Sequence, residues 1–351
     1  RPISTDITSS ENISSSKTLS GEHLYISDDA VITDNLTVGS ISSSADIKAV
    51  GYLSGSNLYI VEDATIGDNL TVGSVSASLD INSDQSGSFT GGVTSVIGDI
   101  HTGGNISSSK TVSAEHLYSR EDATIGDNLT VGSISASLDI KAAGYVSASN
   151  LYIVEDATVG DNLTVGSISA SADIKSAGYV SASNLYIVED ATIGDNLTVA
   201  SISASADIKA AGYVSASNLY IVEDATIGDN LTVGSISAST DITAVGTSSA
   251  ASLYITDDAT IGDNLTVASI SASADIKAAG YLSASNLYIV EDATIGDNLT
   301  VGSISASANI KTAGYVSASN FITNVMTIGN HLTVGSISAS ADIKAAGYVS
   351  A

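Results

Sequence analysis

Apolar and polar residues alternate along this chain in short triplets that recur from end to end. Within residues 151–184 the triplets are Leu151-Tyr152-Ile153, Ala157-Thr158-Val159, Leu163-Thr164-Val165, Ile168-Ser169-Ala170, Ala172-Asp173-Ile174 and Gly178-Tyr179-Val180. Alternation at period two turns the outer members of each triplet inward and the middle Tyr, Thr, Ser or Asp outward, as a half-buried strand requires. No segment shows helical periodicity. Gly160, Asp161 and Asn162, or Ser181 and Asn184, fall between triplets and predict corners, where turn-tolerant residues are needed. Proline occurs once, in keeping with strands that must each donate to a ladder.

The triplets belong to a longer repeat. The heptapeptide IGDNLTV begins at Ile66, Ile125, Ile193, Ile227, Ile261 and Ile295, with near-copies at Ile32, Val159 and Ile328. Its leucines lie 34 residues apart, except for one gap of 59 (Leu70 to Leu129) and a final 33 (Leu299 to Leu332). A fixed period of this size predicts a stacked architecture in which each unit buries its apolar face against its neighbours. The triplets begin 6, 6, 5, 4, 6 and 7 residues apart and fill the 34, which reads as two triangular coils of three short strands. The expected fold is all-β, a repetitive β-solenoid or β-helix. Two topologies satisfy the pattern: one chain winding alone and rising ~4.8 Å per coil, or three intertwined chains, each supplying one side of a triangular shaft.

The period is lost over residues 82–104, a stretch rich in Gly and Ser, and resumes in 105–118 (NISSSKTVSAEHLY), which copies 12–25 (NISSSKTLSGEHLY). The expected organisation is a first shaft segment over 1–81, a break or loop over 82–104, and a second segment over 105–351. The break reads as a duplicated unit that lost part of itself and loops out, with a hinge or docking collar as the functional alternative. A start at Arg1 and a stop within a repeat at Ala351 read as a segment of something longer.

Composition narrows the chemistry. With no Trp, two Phe and one Met among 351 residues, the core is expected to be thin and built from Ile, Val, Leu and Ala. Cysteine is absent, which excludes disulfides, thiolate metal sites and thiol catalysis. The formal net charge of -27 accumulates from units carrying, for example, Glu155, Asp156, Asp161 and Asp173 against Lys175. Such a polyanion repels nucleic acid and anionic lipid. No run of 18 apolar residues and no basic-then-apolar leader occurs, so neither membrane insertion nor a signal peptide is expected.

His23, His101, His116 and His331 have no partners at triad or metal-ligand spacing, so corner or surface positions are expected. The acidic corners are expected to stack into carboxylate columns ~10 Å apart that gather a diffuse cation atmosphere, with individual Ca²⁺ ions as the alternative. The tyrosines predict two outward ladders, able to meet sugars or protein or to pack between chains. Single outward threonines, as Thr158 and Thr164, lack the paired rows of an ice-binding face. The expectation is no catalytic, cofactor-binding or metal-binding residue, and no enzyme.

Two resemblances follow. The heptapeptide with its flanking glycines, Ile66-Gly67 and Val72-Gly73, resembles the hexapeptide repeat of left-handed β-helix acyltransferases, but the ISASADIK half of each unit departs from it. The whole unit SNLYIVEDATIGDNLTVGSISASADIKAAGYVSA resembles the Ala/Ser/Asp/Ile-rich β-repeats of fibre-like virion proteins of tailed bacteriophages, especially those of marine cyanobacteria. That resemblance implies a homotrimeric shaft on the virion surface, joined at its ends to other virion structural proteins and serving host-receptor attachment indirectly. The alternative is a cellular surface filament or adhesin stalk.

Overall fold

The computed structural model describes residues 6–89 and 94–350. The fold is all-β, a parallel β-solenoid of about 20 turns with about 17 residues per turn. The chain divides into two compact units, Arg1–Gly178 and Tyr179–Ala351.

In the first unit, residues 129–145 show how the sequence makes a coil. Strand Leu129–Ala136 buries Leu129, Val131, Ile134 and Ala136, and strand Ile140–Ala142 buries both its ends. Gly132 and Ser133 are consecutive residues that both escape the core, so the alternation skips a beat and the strand bends there into two sides. Residues 137–139 and 143–145 form the longer corners. Each coil thus has three sides, with one tight corner of two residues and two corners of three. The ladder is parallel and in register: Leu129 pairs with Val112 before it and Val146 after it. Within each unit the strands find their partners in the same chain, so the hydrogen-bond ladder requires no second chain.

This register corrects two of the six expected triplets. The strands are Ile174–Ser176 and the start of Val180–Ile187, so Ala172 and Asp173, like Gly178 and Tyr179, lie in corners. The inner residue closing the third side is a small one (Ala142, Ala210, Ser176), which carries little hydrophobic signal. With the corrected starts at 151, 157, 163, 168, 174, 180 and 185, the steps become 6, 6, 5, 6, 6, 5. The structural period is therefore the 17-residue coil, and the 34-residue repeat is two of them.

The role of the corner glycines is also different from the expected one. No described residue has a positive φ. Glycine serves close approach instead: a Cβ on Gly132 would lie 2.6 Å from the carbonyl oxygen of Glu115, one coil below.

The described residues of 82–104 stay in the stack. They contribute strands Gly87–Phe89, Thr94–Val96 and Ile100–Thr102. Gly87 pairs with Leu70 below and Ile106 above, and Ile100 with Ile81 below and Leu117 above. Ile81 and Ile100 are 19 residues apart, so this coil is two residues longer than its neighbours. Its core is filled by a swap in volume: Phe89 is fully buried, and its ring lies 3.5 Å from where a Cβ on Gly87 would stand.

The long coil has no tight corner between described strands, and this changes the phase. Numbering the sides from Leu70, the tight corner before the break joins the first and second sides, at Gly73-Ser74 within strand Leu70–Ala77. After the break it joins the second and third, at Glu115-His116 within strand Val112–Ser119, whose two halves pair with Thr94 and Ile100. Every later feature of the first unit is consequently advanced by one side.

In the second unit the coils repeat every 17 residues from Val180 to Val316, the next coil is one residue shorter (Val316 pairs with Leu332), and inward residues such as Ile193, Leu197 and Ile202 are almost wholly buried. Ser248 occupies a position held by Leu231 and Leu265 in the neighbouring coils. Its hydroxyl is buried without a hydrogen-bond partner beside a small apolar void lined by Leu231, Leu253, Ile261 and Leu265.

Candidate functional surface

Each coil turns its middle residues and corners outward, and exact register stacks them into columns. At one corner the column is aspartate. Asp156 Oδ1 accepts the backbone N–H of Asp173 at 3.0 Å, Asp139 serves Asp156 at 3.2 Å, and Asp122 serves Asp139 at 3.2 Å. In the second unit the same bond links Asp207 to Asp224, Asp241, Asp258, Asp275 and Asp292 in turn. Aspartate fits because its short side chain reaches a backbone donor one coil on. The carboxylates therefore recur at every coil, ~4.8 Å apart, rather than at the ~10 Å expected from the sequence, where Asp156 and Asp173 appeared in different settings.

Lysines relieve part of this crowding. Lys141 Nζ lies 2.7 Å from Asp139 Oδ2, Lys209 2.8 Å from Asp207, and Lys277 3.5 Å from both Asp258 and Asp275. The hydrogen bond from Lys141 holds Asp139 below the usual carboxylate value, and Lys209 does the same for Asp207. The two lysines are raised in turn by those same bonds.

A second corner carries asparagine and tyrosine alternately. Asn128 Oδ1 accepts the N–H of Tyr145, and Asn196 that of Tyr213, both at 3.0 Å. His331 takes the asparagine's place near the end of the second unit, its Nδ1 accepting the N–H of Tyr348 at 3.1 Å while the two rings stack. The other tyrosines stand mid-strand: Tyr186, Tyr220, Tyr254 and Tyr288 point outward and alternate with Ser203, Ser237 and Ser271. Both tyrosine families are thus on the outside, one on a strand and one at a corner.

The remaining histidines are spread out. His101 lies in the long coil with its ring edge-on to Tyr118 at 4.5 Å, and His116 Nδ1 meets Ser133 Oγ at 2.6 Å. His23 belongs to a grouping that sequence spacing did not reveal: ligand atoms of Asp6, Glu22 and His23 lie within 4.8 Å of one another. Asp6 reaches His23 through the coil register, since Ile7 pairs with Leu24. Repeated reading at an offset of 17 is the signal that finds it. A surface depression at the break is lined by Asn82, Asp84, His101, Gly103 and Arg120. Among the described residues Arg120 has no carboxylate at ion-pair distance.

Set against family models, curated proteins and solved structures, the chain finds no match in any of the three.

Proposed function

We propose that this chain is a non-enzymatic structural shaft, a stiff spacer in the tail or capsid fibre of a bacteriophage that holds a host-attachment element away from the particle. The observation that supports it most is that strands Gly87–Phe89, Thr94–Val96 and Ile100–Thr102 each pair with the coils on both sides. A loop excursion there would make a compliant joint. Three strands paired on both sides instead carry the ladder across the break, and stiffness follows from bonds that strain together when a stack bends. Copies of the chain associating through their outer faces as a homotrimer, other virion proteins at the ends and a host receptor reached indirectly are the partners of this reading. The virion surface is its location.

The second reading, a cell-surface filament or adhesin stalk, uses the same coils. Immunogold electron microscopy with antibody to the repeat separates them: label along fibres of native virions supports the first, and label on cells without particles supports the second. Sedimentation equilibrium of the chain tests the homotrimer, since a monomer at micromolar concentration rejects it.

A further inference from the structure

The mid-strand tyrosines of the second unit form a track. Tyr186, Tyr220, Tyr254 and Tyr288 lie on one side of the stack, each two coils from the next, and are 50%, 49%, 52% and 49% exposed. Two coil rises place successive rings ~9.6 Å apart, and the four span roughly 29 Å. Small serines fill the intervening coils.

Each ring has the same polar company. Asn184, Asn218 and Asn286 precede their tyrosines by two residues, and Glu189, Glu223 and Glu291 follow by three, all exposed; around Tyr254 the places are held by Ser252 and Asp257. No hydrogen bond among the described residues occupies the three asparagine amides.

We propose that this track binds a neutral, extended β-linked glycan of the cellulose or chitin type, lying along the stack with one disaccharide to each tyrosine. The apolar face of a pyranose packs on an amphipathic ring. The flanking amide and carboxylate exchange hydrogen bonds with the hydroxyls. In such a glycan successive sugars turn over, so the same face returns once per disaccharide, a length close to the ~9.6 Å between rings. The intervening sugar, facing away, meets only serine. The net charge of -27 excludes polyanionic glycans from the same track. Weak contacts at several rings add through effective concentration. The inference is independent of what the shaft is attached to.

The test is titration of the intact chain with cellohexaose, chitohexaose, their disaccharides and a hexameric oligogalacturonate, read by calorimetry and by tyrosine fluorescence, which no tryptophan obscures. Binding of a neutral hexamer, much weaker binding of its disaccharide and none of the galacturonate are expected. Tyr220→Ala should weaken the hexamer roughly tenfold, and Tyr220→Ala with Tyr254→Ala should weaken it further. Tyr220→Phe should retain the affinity, and circular dichroism should report an unchanged fold for all three. Three results overturn the proposal: no binding of either neutral hexamer, binding that the alanine variants leave intact, or self-association of the chain that the same variants abolish, which would assign the track to another copy.

Discussion

Residues 12–25 and 105–118 differ only at Leu19/Val112 and Gly21/Ala114, and they fold alike, yet they lie on different sides of the first unit. In the first copy Ile13–Ser15 pairs with Ala30–Ile32 on the third side. In the second, Ile106–Ser108 pairs with Gly87–Phe89 on the first. The comparison separates two kinds of information. Local sequence decides which residues turn inward and where a corner comes. The side on which a segment lands depends on how many sides the chain has already made. The break therefore changes orientation without changing the coil, and Tyr118 stands one side on from Tyr59.

The strongest way to break this comparison is to remove one side and its corner. Deleting residues 100–105 should return Tyr118 to the side of Tyr59, three coil rises or roughly 14 Å away. The chain has no cysteine, so spin labels at Tyr59→Cys and Tyr118→Cys can read that distance directly. A separation unchanged by the deletion would contradict the phase account.

A smaller effect tests whether the long coil is a coil at all. Ile100 and Ile125 are both buried, so Ile100→Asp and Ile125→Asp should each cost on the order of 4 kcal/mol, through an unpaired charge in an apolar core. Urea unfolding and limited proteolysis measure this. If Ile100→Asp were harmless while Ile125→Asp was not, the long coil would have to be an excursion.

Smaller again is a coil that keeps the pattern with one discordant residue. Ser248→Val should stabilise the second unit by about 1–2 kcal/mol, by filling the void and removing an unpaired hydroxyl. Calorimetry should show a higher melting temperature.

The least effect belongs to the Asp207–Lys209 pair. Asp207 is lowered in the fold, so its contribution is present above the unfolded value near 3.8 and is lost as pH falls through the lower folded one. Lys209 is raised, so its part is present below 10.5 and is lost above it. The melting difference between the parent and Lys209→Met should therefore be constant between about pH 4 and 10 and shrink outside that window.

Much of the fold was legible because its signal is binary. Triplets such as Leu151-Tyr152-Ile153 and Leu163-Thr164-Val165 alternate cleanly and lie where they were expected. What stayed hidden was carried by small residues. Ile174–Ser176 ends in a serine that closes a side, and Gly87–Phe89 begins with a glycine that makes room for a ring. Neither looks like a strand to a hydrophobicity rule. The surface was less legible than the core, because a column is a relation between residues 17 apart: Asp156 and Asp173 look unrelated in the sequence and share a hydrogen bond in the fold.

The 19-residue coil has a further consequence, for how the chain finds its pairing. Units that repeat letter for letter are interchangeable partners, and a strand displaced by a whole repeat would meet the same side chains it left. Register over such a tract is weakly specified and open to slippage. The long coil fits at one place only, because its 19-residue spacing and its Gly87–Phe89 exchange match no other turn among the described residues. It acts as a fiducial mark: once it is seated, the strands on either side count outward from a fixed origin, and a displaced arrangement must leave that coil unpaired.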